Sequence, residues 1–160
     1  GSAPLLADTF VEFEQRTGKT ILERYGMTET GMNTSNPLHG ERRAGTVGFP
    51  LPGVSLRIAG PDGNQVAQGE VGDIQVKGAN VFSGYWKMPD KTAEDFSDDG
   101  FFNTGDKGRI DEDGYVSIVG REKDMVITGG LNVYPKEIEL FIYDLPGVSY
   151  SAVIDLQHAD

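Results

Sequence analysis

Cysteine is absent from this chain of 160 residues. That excludes disulfides, thiolate-bound metal and a cysteine nucleophile, and it fits a reducing compartment: the cytoplasm, or the mitochondrial matrix in a eukaryote. No apolar run is long enough to span a bilayer, and no charged, apolar, small-residue leader stands at the start. Basic residues are few: 14 lysines and arginines face 25 aspartates and glutamates, a formal charge of −11. Such a balance disfavours broad attraction to nucleic acid or to an anionic membrane, so a phosphate ligand would need local dipoles and a few placed cations. Histidine is scarce too. His39 and His158 stand alone, without an acidic or hydroxyl partner at a catalytic spacing, and read as surface residues.

Apolar residues, at 38% of the chain, suffice for the core of one ordinary domain. Glycine (22) and proline (8) together stay below the share of about 25–30% that signals low complexity. Spread along the chain without a repeat, the glycines indicate many turns and places of close backbone approach.

Leu5, Leu6, Phe10, Val11 and Phe13 recur at near-helical spacing and predict an amphipathic helix over 4–17, stopped at Gly18. Thr20–Tyr25 is a β-prone run ended by Gly26, so a helix leads into a strand and then a polar loop, as at the edge of an α/β layer. From about Thr46 to Val119 short strands are expected at Val54–Ala59, Gly72–Lys77, Gly108–Ile110 and Tyr115–Val119. Hairpin turns are expected at Pro61–Asn64 and Asp111–Gly114. The alternation in Asp73–Lys77 implies a sheet with one wet face. Pro89 opens a short helix through Phe96. The last stretch reads as a strand at Met125–Thr128, a glycine pair, a helix over Pro135–Tyr143 and a strand at Val148–Ile154. This β-α-β outline lacks partner elements to bury its sheet.

Three segments carry chemistry. Tyr25-Gly26-Met27-Thr28-Glu29-Thr30 places a glycine, hydroxyls and a carboxylate just after a strand, where open α/β sheets bind ligands. Threonine can donate to a phosphate oxygen and a carboxylate can hold magnesium that bridges phosphates. Alone, this segment reads as an ordinary polar turn. Phe101-Phe102-Asn103-Thr104-Gly105-Asp106 ends in an aspartate suited to accept from two neighbouring ribose hydroxyls. Gly120-Arg121-Glu122-Lys123-Asp124 concentrates charge between the β segment and the final unit; a surface salt bridge for Arg121 and a solvated linker for Lys123 and Asp124 are the alternatives. Asp111-Glu112-Asp113-Gly114 is too short for a calcium loop and reads as a hairpin turn. Trp86 beside Tyr85 reads as core, and Arg42 and Arg43 as solvated.

Taken together and in order, Tyr-Gly-Met-Thr-Glu, Gly84-Tyr85-Trp86, Thr-Gly-Asp and the run from Gly120 to Glu139 resemble the adenylate-forming superfamily of acyl-CoA synthetases, adenylation domains and luciferases. The resemblance covers the whole chain. It implies an α/β plus β architecture: the end of a large N-terminal domain (α/β edge and distorted β-barrel) followed by the start of a small α+β C-terminal domain. The implied bounds are 1–45 for the end of the nucleotide-binding α/β subdomain, 46–119 for the β-barrel-like subdomain, 120–124 for a hinge and 125–160 for the opening of the C-terminal domain. The family's phosphate loop would lie upstream of residue 1 and its adenylation lysine beyond residue 160, so this chain alone is expected to be inactive.

The resemblance implies ATP, Mg2+ and coenzyme A as the small molecules, with a carboxylic acid as substrate. Gly1-Ser2-Ala3-Pro4 would contact adenine, although Gly-Ser is also a common cloning remnant. Tyr25 would flank the adenine within a nucleotide-contacting Tyr25-Gly26-Met27, Thr28 would contact phosphate and Glu29 would bind magnesium. Asp106 would accept from the ribose hydroxyls, with Arg121 reaching the same sugar. Lys123 matches the hinge about which the C-terminal domain turns between adenylate-forming and thioester-forming arrangements, and Gly129 and Gly130 match the turn that lines the pantetheine path. Within the superfamily, Leu22–Thr30 followed by Met32–Pro37 most resembles the malonyl-CoA synthetases, with Arg24 and Met27 as acyl-site residues. Arg24 would read a distal carboxylate, or else make a surface salt bridge. The rivals are a medium-chain or aryl acid CoA ligase, a carrier-loading adenylation domain and, outside the enzymes, a β-rich binding module.

Overall fold

The computed structural model describes residues 5–143 and 145–156. The expected adenine loop Gly1–Pro4, with Ser2 and Ala3, and the expected surface residue His158 lie outside them. Helix α1 (Ala7–Thr17) buries Phe10. Gly18 ends it at φ 65°, its N–H bonded to the Glu14 carbonyl, a left-handed cap that suits glycine.

The strand that follows starts later than expected and does not stop at Gly26. Strand β1 (Arg24–Met27) turns over Thr28-Glu29-Thr30 into β2 (Gly31–Ser35), its antiparallel partner. A Cβ on Gly26 would sit 2.0 Å from the Gly31 carbonyl oxygen. Here the missing side chain admits the neighbouring strand. The segment forms a hairpin, and every strand pair among the described residues is antiparallel.

A short β3 (Phe49–Pro50) completes the first sheet in the order β1-β2-β3. The second sheet runs β4 (Val54–Ala59), β5 (Gly72–Gly78), β6 (Phe102–Ile110), β7 (Val116–Arg121), in that order, with helix α2 (Pro89–Asp95) between β5 and β6. Strand β6 is far longer than the expected Gly108–Ile110. It carries register shifts against both neighbours and Gly105 at φ 71°, and such irregularities bend a strand without ending it. The Asp111–Gly114 turn is closed by Asp111 Oδ1, which accepts from the N–H groups of Asp113 (3.0 Å) and Tyr115 (2.8 Å). The two sheets join where the N–H of Val47 donates to the Val116 carbonyl and the N–H of Val116 to the Gly48 carbonyl, each at 2.8 Å. The result is a mixed helix-and-sheet fold.

Tyr25, Val47, Ile58, Ile74, Val76, Phe102 and Val116 form the core between the sheets. The expected wet face of β5 is largely covered. Gln75 is only 8% exposed and accepts from Arg57 Nε at 2.8 Å, with Arg57 itself lying over the Phe101 ring. Arg42 and Arg43 are not simply solvated either. Arg42 donates to the carbonyls of Thr20, Pro37 and Leu38, and Arg43 lies 4.2 Å over the Tyr115 ring and bridges Glu41 and Asp113. Trp86, expected in the core, is 85% exposed.

After a single 3-10 turn (Glu122–Asp124) come β8 (Val126–Thr128), β9 (Leu131–Val133) and helix α3 (Pro135–Tyr143). The expected strand at Val148–Ile154 does not form. It has no strand beside it among the described residues, and it is tied instead to α3: Ser151 Oγ donates to the Glu139 carbonyl and the Val153 N–H to Glu139 Oε1 (3.2 and 3.1 Å). The order is β-β-α, not β-α-β. Tyr134 packs against Gly120 of β7.

Phe102 is 1% exposed and meets the rings of Phe82 and Phe96 at 5.2 and 5.3 Å between centroids. Phe102→Ala in the full-length protein should cost about 3–5 kcal/mol, measured as a shift in the denaturant midpoint of the transition that unfolds this region. A cost below about 1 kcal/mol would place the ring outside the cooperative core.

Candidate functional site

Three residues predicted from separate motifs meet at the seam between the sheets. Tyr25 enters from β1, and its hydroxyl donates to Asp106 Oδ2 at 2.6 Å. Asp106 of β6 stands in register with Arg121 of β7, and Arg121 Nε lies 3.1 Å from Asp106 Oδ1. The local sequence explains the placement of Asp106. Thr104 Oγ1 donates to the Ile74 carbonyl (2.8 Å) and accepts from the Asp106 N–H (3.2 Å), while the Gly105 N–H donates to Asn103 Oδ1 (3.3 Å). The whole Asn103–Asp106 turn is thus locked by its own polar side chains.

The ion pair expected as the alternative for Arg121 is present, yet it does not exhaust the carboxylate. An ionised carboxyl has about four lone-pair positions, and Tyr25 and Arg121 take one on each oxygen. The side chain of Asp106 is 13% exposed and that of Arg121 47% exposed, so both reach the surface at the rim of the seam. Tyr25 is only 7% exposed. Its hydroxyl is pushed well above the ordinary tyrosine range, by burial first and by the Asp106 charge second.

From Tyr25 the chain runs three residues, about 10 Å, to Thr28 at the hairpin tip. The Thr30 N–H bonds back to the Met27 carbonyl at 3.2 Å and Gly31 takes φ 60°, which together reverse the strand. Thr28 is exposed, Glu29 half-buried and Thr30 fully buried. The turn is held from the second sheet: the Phe82 N–H donates to the Glu29 carbonyl (2.8 Å) and Asn80 Nδ2 to the Thr30 carbonyl (2.8 Å). Neither contact was anticipated; the available signal is a polar residue in the loop leaving β5, directly before the apolar pair Val81-Phe82.

The other expected site residues are spread out. Arg24 is exposed, with no ion pair among the described residues, so the surface salt bridge considered for it is not formed there. Met27 is partly buried against the core. The alternating burial of β1 puts Arg24 and Gly26 on one face and Tyr25 and Met27 on the other, so the two acyl-site residues are not brought together. Lys123 is exposed within the 3-10 turn, two residues past Arg121. Gly129 and Gly130 form the two-residue β8–β9 turn at φ 58° and 80°. That pattern requires left-handed backbone at both positions, so the turn by itself accounts for the pair. The Gly84-Tyr85-Trp86 motif lines a wide, open cleft of about 760 Å3 with Met88, Thr92 and Phe96. None of the Tyr25–Asp106–Arg121 cluster lines this cleft. Among the described residues no three His, Asp or Glu side chains gather as a metal cage, and no helix is long and apolar enough to cross a membrane.

Comparison with known proteins bears on this geometry. Residues 1–86 match the family described as AMP-binding enzyme. Over its whole length the chain is 45% identical to a malonate–CoA ligase from Arabidopsis thaliana, covering 26% of that protein, and over 96% of its length it is 43% identical to a feruloyl-CoA synthase from an Amycolatopsis species, covering 31%. The chain therefore spans about a quarter to a third of the curated relatives it matches. Among solved structures it is similar to ATP-bound MatB from Rhodopseudomonas palustris (62% identity, TM-score 0.96, covering 99% of this chain and 32% of that one). It is also similar to a malonyl-CoA ligase in a ternary product complex with methylmalonyl-CoA and AMP (47% identity, TM-score 0.70, covering 95% and 33%).

The raised Tyr25 hydroxyl has a consequence for stability. An unfolded tyrosine ionises near pH 10 and the folded one well above it, so the contribution of Tyr25 is complete below about pH 10 and is lost as pH rises from there towards the folded value. Between about pH 9 and 11 the melting temperature of Tyr25→Phe in the full-length protein should fall less steeply than that of the unmodified protein. Parallel curves would contradict the burial and pairing described for this hydroxyl.

Proposed function

The chain belongs to the AMP-binding enzyme family, and from that premise we propose that the full-length protein is an AMP-forming acid–CoA ligase acting on malonate or a close analogue such as methylmalonate. The acid would attack the α-phosphate of ATP to give an acyl-adenylate and pyrophosphate, and the thiol of coenzyme A would then displace AMP. The observation that carries this reading is the meeting of Asp106 and Arg121 with Tyr25, three residues from the Thr28–Glu29 turn. Tyr25 thereby ties a carboxylate suited to a sugar to the hairpin whose turn offers a hydroxyl and a carboxylate to phosphate.

Each residue has a defined part. Asp106 accepts from the ribose hydroxyls through its remaining lone pairs while Arg121 and Tyr25 hold it still. Thr28, exposed at the tip, donates to phosphate. Glu29 offers one carboxylate beside Thr28. Mg2+ binds through one or two carboxylates together with substrate phosphates, so a lone half-buried carboxylate suits it; its chemistry would be to screen phosphate charge. Lys123, exposed between β7 and β8, is the proposed hinge, with 1–45, 46–119 and 125–160 as the proposed units around it. The higher similarity to the ATP-bound neighbour than to the product complex is consistent with two arrangements about such a hinge. The exposed Gly129-Gly130 backbone would admit the thiol arm.

The choice of malonate is supported by the malonate–CoA ligase and malonyl-CoA ligase relatives and by Arg24, whose guanidinium is free among the described residues to pair with a distal carboxylate. The feruloyl-CoA synthase relative keeps an aryl acid as the second reading. Malonate-dependent ATP–pyrophosphate exchange, followed by thioester formation with free coenzyme A, tests the proposal; exchange with aryl acids alone, or transfer only to a carrier protein, would favour the rivals. Arg24→Ala should lower kcat/KM for malonate about ten- to hundredfold, as expected for one charge-assisted hydrogen bond, and leave propionate nearly unchanged. An unaltered malonate-to-propionate ratio would remove Arg24 from the acyl site.

A further inference from the structure

Resting on the reading of Glu29 as the magnesium-binding carboxylate, we infer that Asn80 is a positioning residue for the phosphate turn, acting on Glu29 through the backbone. Within its own sheet the hairpin tip is closed by the pairing of Met27 with Gly31 and by a turn bond of 3.2 Å from the Thr30 N–H to the Met27 carbonyl. Further contacts come from the loop after β5. Asn80 Nδ2 lies 2.8 Å from the Thr30 carbonyl, 3.2 Å from Asn33 Oδ1 and 3.4 Å from the Met32 carbonyl. Two residues on, the Phe82 N–H meets the Glu29 carbonyl at 2.8 Å.

Consecutive carbonyls of the turn, those of Glu29 and Thr30, are therefore grasped by one three-residue segment of the opposite sheet. That segment is itself anchored. The Phe82 ring packs edge-on against Tyr85 (4.8 Å) and Phe102 (5.2 Å) and stacks near Phe96 (6.0 Å). A rigid path thus runs from the β6 core through Phe82 and Asn80 to Glu29, and Asp106 lies on that same β6. The sugar contact and the metal carboxylate are referred to one strand.

The chemistry at position 80 is selective. All three atoms facing Nδ2 are acceptors, two carbonyls and an amide oxygen, so the position needs an uncharged donor of this size. Thr30 and Asn33 are fully buried and Asn80 is half-buried, so a lost donor would leave these acceptors poorly compensated. Aspartate, the same shape, would present oxygen to oxygen.

The test uses the full-length protein with Asn80→Ala, Asn80→Asp, Glu29→Gln and the Glu29→Gln/Asn80→Ala double variant. Malonate-dependent ATP–pyrophosphate exchange should fall roughly ten- to hundredfold in each Asn80 variant, the cost of misplacing a group by about an ångström. The Mg2+ concentration for half-maximal exchange should rise severalfold. Thiolysis of a supplied acyl-adenylate, which involves no triphosphate, should stay within about threefold of the unmodified rate. The double variant should be no worse than Glu29→Gln, because the two losses share one cause. Additive losses, or exchange and thiolysis falling together in step with the melting temperature, would overturn the positioning role. A deficit in Glu29→Gln with none in either Asn80 variant would overturn it alone, whereas unchanged exchange and Mg2+ dependence in Glu29→Gln would overturn the reading of Glu29 on which it rests.

Discussion

The contact on which this structure turns is the hydrogen bond from Tyr25 to Asp106. It joins a strand of the first sheet to the longest strand of the second, at 2.6 Å and with the tyrosine buried in the shared core. A largely desolvated carboxylate is costly unless it is paired and hydrogen-bonded. Here Arg121 supplies the charge and Tyr25 the donor. Because both partners sit on regular strands, satisfying that one carboxylate fixes how the hairpin meets the sheet. The same carboxylate, 13% exposed and with lone pairs to spare, is the one proposed above to receive a sugar, so the proposed ligand group also organises the fold.

A second constraint follows from the hairpin. Gly26 lets β1 and β2 approach closely enough that no side chain could stand between them, and the turn beyond it is brought against the loop after β5. The hydroxyl and carboxylate of Thr28 and Glu29 are thereby presented on a backbone whose carbonyls are held from the other sheet. Under the proposed function, adenylation by the full-length protein would be chiefly a matter of placing and screening dense negative charge, and these inter-sheet bonds would fix the few groups that an acidic chain offers for it.

Much of this was readable in the sequence where the signal is local. Short β-prone runs between turn signals marked Val54–Ala59 and Gly72–Lys77, Gly18 marked the end of α1, and Asp111–Gly114 marked a hairpin turn. Tyr25, Asp106 and Arg121 were each legible from their motifs, but their meeting was not, since it depends on register between strands 81 residues apart. The errors share a physical origin. The Val148–Ile154 segment has strand propensity, yet a strand exists only where another can pair with it. Gln75 and Arg43 look solvated by residue type, and are covered because a guanidinium can lie flat on an aromatic ring. Asn80 was missed since a single asparagine in a loop carries no pattern; its meaning comes from the three acceptors that the fold places around it.

The central claim, that the Tyr25–Asp106–Arg121 cluster receives the ribose hydroxyls of ATP, is tested most directly by binding titrations of the full-length protein with ATP and with 2′,3′-dideoxy-ATP. The unmodified protein should prefer ATP by roughly tenfold or more, the worth of hydrogen bonds to a charged acceptor. Asp106→Ala should bind both nucleotides alike, at about the affinity the unmodified protein shows for the dideoxy form. An Asp106→Ala variant that folds normally and still discriminates between the two nucleotides as the unmodified protein does would contradict the account.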